Sequence, residues 1–218
     1  RQLTRADAAA GVRLACMLHP VRDLALRVPD STTAGLLQLH AEPGPAPGRE
    51  AALGLALDIG TTTLAAALVD LADGRQLAAG AALNPQVRHG GDVMTRIELG
   101  SGAAGLLTLT AAVQRGIGRL VRGLCRAVGS APAQIQRAVA AGNTTMLQLA
   151  LGIDPAPLGQ SPFTVGLCGG ADHPAAALGL PAAPGCPVYV PPVLHAFCGP
   201  DLSAGLLAIE SAAGGGTT

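Results

Sequence analysis

The sequence predicts an α/β fold, and three patterns in it carry that prediction. Apolar runs of strand length, broken by Gly and Asp, fill residues 53–83. A stripe of Leu, Ile and Val at three- and four-residue steps runs from Leu106 to Val128, and a short apolar run at Ala138–Ala141 precedes a capped helical segment. Short apolar or alternating runs mark strands, whereas a period near 3.6 marks a helix. With 218 residues, 49% of them hydrophobic, the chain has enough apolar side chain to bury a core.

Residues 1–29 form a first segment, in which Asp23-Leu24-Ala25-Leu26-Arg27-Val28-Pro29 alternates like a short strand ended by Pro. Residues 30–52 read as a Pro/Gly-rich linker, because Pro43, Pro45 and Pro47 withhold backbone donors from any helix or central strand. Residues 53–218 carry the main unit. Leu53 to Ile59 is a buried strand closed by Asp58 and Gly60; Thr61-Thr62-Thr63 leads into a second apolar run, Leu64 to Leu71. Asp73-Gly74 is a two-residue hairpin signal that returns the chain along Arg75–Leu83. Residues 53–83 are thus expected to form a three-stranded antiparallel meander with a tight turn at Gly60-Thr61.

After the loop Asn84-Pro85-Gln86, Asp92 is positioned as N-cap for Val93–Ile97. Leu106, Leu109, Val113, Ile117, Leu120, Leu124 and Val128 then describe an amphipathic helix of about six turns. Arg115, Arg119, Arg122 and Arg126 lie off that stripe as a solvated face. Ala138–Ala141 reads as a strand, Gly142-Asn143-Thr144-Thr145 as a turn that caps the helix Met146–Leu151, and Gly152 as its stop. Residues 154–186 show few regular patterns. Val188-Tyr189-Val190 is a further short strand, and Pro200-Asp201 opens a last helix, Leu202–Ile209.

Composition narrows the function classes. Formal net charge is zero and no basic patch exists to neutralise phosphates, which argues against a nucleic-acid partner. Aromatic residues make up 1% of the chain and Trp is absent, so platforms for base stacking are not expected either. No signal peptide is visible and no apolar stretch reaches the length of a membrane span, so no membrane partner is expected. Five cysteines without regular spacing do not describe a disulfide framework, and a reducing, cytoplasmic location fits them best. The chain begins at Arg1 rather than Met and ends in Gly-Gly-Gly-Thr-Thr, so both ends read as cuts in a longer protein.

The sharpest chemical feature is Asp58-Ile59-Gly60-Thr61-Thr62-Thr63 between two strands. A strand–turn–strand whose Gly permits close backbone approach aims several N–H groups at one point, a concavity suited to phosphate oxygens. Three threonine hydroxyls add donors, and a carboxylate at the strand end, Asp58, is suited to Mg²⁺. The same residues also suit an ordinary Gly turn with β-favouring threonines. No Gly-Lys-Ser/Thr follows, so this is not a Walker loop.

This hairpin resembles the first phosphate-binding motif of the acetate kinase, sugar kinase, Hsp70 and actin superfamily. Further blocks narrow the resemblance: Ala82-Leu83-Asn84-Pro85-Gln86-Val87-Arg88, Gly91-Asp92-Val93 with Arg96-Ile97, Ala141-Gly142-Asn143-Thr144-Thr145-Met146, Leu151-Gly152-Ile153-Asp154-Pro155 and Ser161-Pro162-Phe163-Thr164. In order and spacing, from about residue 53 to 209, they are similar to the ferredoxin-linked branch that includes the reductive activators of corrinoid proteins. The resemblance implies the first lobe of an actin-like ATPase domain, with Asp58 serving Mg²⁺ or the attacking water and Gly60, Thr61, Thr62 and Thr63 holding the phosphates of ATP. Asn84, Gln86, Arg88, Asp92, Asn143 and Thr144 are implied as further residues shaping the cleft or a partner surface. Arg13-Leu14-Ala15-Cys16 resembles the end of a plant-type [2Fe–2S] ferredoxin domain, which makes Cys16 a fourth cluster ligand and residues 1–29 the remnant of that domain. No Cys-x₄-Cys-x₂-Cys run stands in this chain to supply the others. The implied activity is ATP-dependent reduction of a Co(II) corrinoid on a carrier protein or cobalamin-dependent methyltransferase, with an electron donor upstream. Members of such a family form homodimers, a point the chain's own residues leave open.

Two departures stand against the family pattern. His195-Ala196-Phe197-Cys198-Gly199-Pro200-Asp201 replaces a Gly-Phe-Val-Gly-Ala-Asp type sequence while keeping Gly199 and Asp201. A second phosphate motif and an adenosine pocket are expected beyond residue 218. His195, Cys198 and Cys186 lack the paired spacing of a zinc site, Cys125 falls on the apolar stripe, and Cys168 has no basic neighbour to activate it. A small-molecule kinase of the same superfamily and a non-catalytic binding module are the alternative readings.

Overall fold

The computed structural model describes residues 38–214, within the compact unit Gly35–Thr218. Cys16 and the strand expected at 23–29 lie outside the described residues. Seven strands form one sheet in the order β1-β4-β3-β2-β5-β7-β6. The strands are β1 (Gln38–Ala41), β2 (Leu53–Ile59), β3 (Thr63–Asp70), β4 (Gln76–Leu83), β5 (Ile135–Gly142), β6 (Ala171–Pro174) and β7 (Pro187–Val190). Among the described residues four α-helices accompany them: α1 (Val93–Gly100), α2 (Ala103–Ala127), α3 (Thr144–Leu151) and α4 (Pro200–Gly214). This is a mixed α/β architecture, as the sequence predicts. Among the described residues no helix is long and apolar enough to cross a membrane.

The expected meander forms. β2 pairs antiparallel with β3 from Leu53↔Asp70 to Ile59↔Leu64, and β3 pairs antiparallel with β4 from Thr63↔Leu83. β5 then lies parallel to β2, with Asp58 beside Ala141 and Ile59 beside Gly142. The connection between these parallel strands runs through β3, β4, α1 and α2, and α2 packs on one face of the sheet.

That face holds the core, and the pleat explains its composition. Leu53, Leu55, Leu57 and Ile59 alternate inward along β2, as do Leu64, Ala66 and Leu68 along β3, and all are buried. They meet Leu109, Val113, Ile117, Leu120 and Leu124 of α2, the stripe expected at helical spacing. Burying each such side chain stabilises by about 1.5–3 kcal/mol. Gly116 lets the helix close on the sheet, since a Cβ there would sit 2.8 Å from Leu64 and from Pro85. Arg115, Arg119, Arg122 and Arg126 are exposed, and Cys125 is buried, as the periodicity implies. The opposite face is lined with small residues, Ala56, Ala65, Ala67 and Ala141 among them, which with Ala204 of α4 border a groove of about 560 Å³ that reaches Asp58.

Three expectations need correction. Asp73-Gly74 is not a two-residue turn: Asp70 N–H donates to Arg75 O at 2.9 Å, closing a four-residue loop, Leu71–Gly74. Only Gly74 adopts positive φ (74°), while the Asp70 and Asp73 carboxylates take the N–H groups of Ala72 and Arg75 two residues on. Residues 38–41, inside the segment read as a linker, form β1, whose pairing with β4 supplies what four residues cannot signal alone. The irregular stretch 154–186 contains β6, an edge strand ending at Pro174 and paired antiparallel with β7.

Candidate functional site

The ends of the parallel strands β2 and β5 bring three passes of backbone together, a place where open α/β sheets bind ligands. Gly142 has φ 155°, and a Cβ on it would lie 2.6 Å from Ile59 O. A Cβ on Gly199 would lie 2.6 Å from Thr144 N. The two glycines therefore let β5, the start of α3 and the start of α4 close around the end of β2.

At this junction β2 turns into β3 through Thr61 and Thr62. Gly60 N–H donates to Thr63 O at 3.0 Å, and a Cβ on Gly60 would lie 2.6 Å from that same oxygen. The turn is thus one residue later than the expected Gly60-Thr61. Among the described residues the N–H groups of Thr61 and Thr62 donate to no protein acceptor. Thr62 and Thr63 are exposed and Thr61 is half-buried. A bare pair of successive N–H groups beside three hydroxyls suits an anionic oxygen.

Asp58 is open to solvent at the groove end of β2. Partial desolvation raises its pKa above the ordinary 3.8, and the negative charge of Asp201 pushes the same way. Such a carboxylate is a readier proton acceptor than a free one, and a divalent cation between the two acids would relieve their repulsion.

The remaining predicted residues divide by burial. Asn84 and Gln86 are fully buried beneath the turn. Asn84 Nδ2 donates to Gly60 O at 2.8 Å and Asn84 N–H donates to Thr62 O at 2.8 Å, so Asn84 holds the turn from inside. Gln86 lies one step deeper, with Nε2 donating to Leu109 O at 3.0 Å. Asn143 caps α3 by accepting Thr145 N–H at 3.0 Å, and buried Thr144 donates its hydroxyl to His195 O at 3.3 Å. Asp92 caps α1, accepting both the N–H and the hydroxyl of Thr95, which hold its carboxyl below the usual range. Arg88 is exposed. Asp58, Gly60–Thr63, Asn143 and Thr144 are thus brought together; Asn84 and Gln86 support them; Arg88 and Asp92 make no side-chain bond to the turn.

Comparison with known proteins gives this geometry a family. The profile of the RACo middle region matches residues 53–212, which include the hairpin, both parallel strand ends and most of α4. The chain belongs to the RACo family. It is 34% identical over 163 residues to the corrinoid activation enzyme RamQ of Eubacterium limosum, covering 72% of this chain and 26% of that protein. Among solved structures it resembles a "Reductive activator for corrinoid,iron-sulfur protein" with a TM-score of 0.71 and 35% identity, covering 74% of this chain and 26% of that one. The chain spans about a quarter of the length of these RACo relatives.

Two residues of this RACo chain bear on the site without having been singled out for it from the sequence. Asp201 stands in the first turn of α4, where the helix dipole favours a carboxylate, and its charge acts on Asp58. The signal was present, since Gly199 and Asp201 survive in the block that departs from the RACo pattern. Arg96 is the other: it is fully buried and reaches Gln86 Oε1 at 3.3 Å. In the same departing block, His195 and Cys198 pair through their backbones, and Phe197 packs edge-on against Phe163 with centroids 5.3 Å apart. Burial raises the Cys186 thiol pKa, and among the described residues no three His, Cys, Asp or Glu side chains group as a metal site.

Proposed function

We propose that the intact protein uses ATP to drive the one-electron reduction of a corrinoid protein from Co(II) to Co(I), and that this chain supplies half of the nucleotide cleft. The observation that carries the reading is its likeness, at 34% and 35% identity, to two proteins named for corrinoid activation, within a family match that spans the Asp58–Thr63 hairpin. The hairpin's chemistry supports it: unpaired N–H groups, a Gly with no room for a side chain, and a carboxylate with raised pKa in one turn. The β2–β3–β4 meander with β5 parallel to β2 agrees with the first lobe of an actin-like ATPase domain.

In this reading Thr61 and Thr62 N–H and the hydroxyls of Thr61, Thr62 and Thr63 hold phosphate oxygens. Asp58 holds Mg²⁺, directly or through water, or takes a proton from the attacking water, with Asp201 keeping it basic. Asn143 fixes the facing wall by capping α3, and Thr144 by its hydroxyl bond to His195 O. Hydrolysis of bound ATP supplies the free energy for uphill electron transfer. The corrinoid Co(II) gains one electron from a [2Fe–2S] cluster, to which Cys16 of residues 1–29 gives one thiolate, and an external donor replaces that electron. The partner is a corrinoid carrier or cobalamin-dependent methyltransferase in the cytoplasm.

The test is Mg-ATP hydrolysis by the full-length protein with and without a Co(II) corrinoid protein, comparing wild type with Asp58→Ala. Stimulation that is lost in the variant supports activator and site together. Hydrolysis indifferent to the corrinoid protein sends the reading to a small-molecule kinase of the same superfamily, and absence of nucleotide binding overturns it.

A further inference from the structure

Arg96 is a guanidinium in the core that makes no salt bridge among the described residues. It is 0% exposed, Nε donates to Gly90 O at 2.9 Å, and Nη1 donates to Gln86 Oε1 at 3.3 Å and contacts Met146 Sδ at 3.0 Å. Nη2 has no partner among the described residues. The nearby acid, Asp92, is exposed and spends its carboxylate on Thr95. Burial lowers the Arg96 pKa, with the charge of Asp92 opposing. Burying a charge this way is costly, and a well-packed apolar side chain of similar volume is often neutral or stabilising in its place. Packing alone therefore gives no reason for an arginine here.

What arginine supplies and an apolar side chain lacks is a direction for the Gln86 amide. A cationic N–H on Oε1 turns that oxygen toward Arg96 and Asn84 Nδ2 (3.2 Å), and leaves Nε2 for Leu109 O. Gln86 in turn orders Asn84. Its backbone N–H occupies Asn84 Oδ1 at 3.0 Å, and its Oε1, held by Arg96, accepts from Asn84 Nδ2 at 3.2 Å, the end that also donates to Gly60 O at 2.8 Å. In a trans peptide the C=O of one residue and the N–H of the next point in opposite directions. Pulling Gly60 O inward therefore turns the Thr61 N–H, which has no protein acceptor, away from Asn84 and out of the turn. The path runs from α1 through one buried glutamine and one buried asparagine to the backbone of the hairpin, and its other contact, Met146, lies in the first turn of α3.

We propose that Arg96 is a positioning residue for nucleotide binding, acting through Gln86 and Asn84 to hold the Gly60–Thr63 turn with its N–H groups presented. This rests on the reading of that turn as a phosphate site. Arg96 touches no ligand itself.

The experiment measures the Kd for Mg-ATP and the apo Tm of the full-length protein in wild type, Arg96→Met, Arg96→Lys, Asn84→Asp and Asp58→Ala. Arg96→Met is expected to keep the apo Tm while weakening Mg-ATP about tenfold, the effect of one lost charge-assisted hydrogen bond. Arg96→Lys recovers part of that loss. Asn84→Asp, which keeps the acceptor for Gln86 N–H but loses the donor to Gly60 O, weakens binding at least as much. Wild-type Kd in Arg96→Met and Asn84→Asp alongside weakened binding in Asp58→Ala overturns the relay and leaves the phosphate site standing. No Mg-ATP binding by the wild type overturns the phosphate site and the relay with it. Parallel loss of Tm and affinity in Arg96→Met, with no recovery in Arg96→Lys, makes Arg96 a packing residue and also overturns the proposal.

Discussion

Asp58 ionises against two costs, partial desolvation and the charge of Asp201, so its carboxyl holds its proton to higher pH in the folded state than in the unfolded chain. Between the ordinary 3.8 and the raised folded value the native state binds more protons, and stability falls as pH rises through that window. Above the window the penalty is constant. Asp58→Asn is therefore expected to raise the apo Tm at pH 7, with the gain shrinking as pH falls toward 3.8, as thermal scans across pH will show. Gly60→Ala forces a Cβ to within 2.6 Å of Thr63 O, a backbone atom that cannot swing aside. It is expected to cost more than about 1 kcal/mol in denaturant unfolding and to weaken Mg-ATP binding as well. The strand–turn–strand at Asp58–Thr63 was legible in the sequence because Gly and Thr set it locally. The burial of Arg96 and the approach of Asp201 to Asp58 were not, because tertiary packing sets both.

At the scale of elements, α2 shows which signals survive folding. Its stripe was legible because every seam residue from Leu109 to Leu124 is buried in the main core, Ile117 fully. Ile117→Ala is expected to destabilise by about 2–5 kcal/mol in urea unfolding, as loss of a packed core side chain does. The cap of α1 was legible for a similar reason, since Asp92 and Thr95 stand three residues apart and bond directly. Asp92→Ala is expected to remove this cap and lower the urea midpoint slightly. β1 and β6 escaped the sequence because each is a four-residue edge strand whose neighbour provides the pattern. The Leu71–Gly74 loop escaped because Asp70 and Asp73 each make their own side-chain turn, which lengthens a connection that Asp73-Gly74 would otherwise close in two residues.

At the scale of the molecule, one core on one face of a seven-stranded sheet fixes where the candidate cleft lies. α1 and α2 separate β2 from β5 in sequence, yet the parallel pairing sets Asp58 beside Ala141, and Gly142 and Gly199 let the facing backbones close. The family of the chain was legible because its blocks keep their order across residues 53–212; the depth at which Asn84 and Gln86 lie was not, since polar residues in a loop segment give no sign of burial. The measurement closest to the central claim follows the visible absorption of a Co(II) corrinoid protein mixed with the full-length protein and a reductant, with and without Mg-ATP. Conversion to Co(I) that needs Mg-ATP and falls at least about a hundredfold in Asp58→Ala is the predicted result. Conversion at the same rate without ATP, or undiminished in Asp58→Ala, contradicts the account.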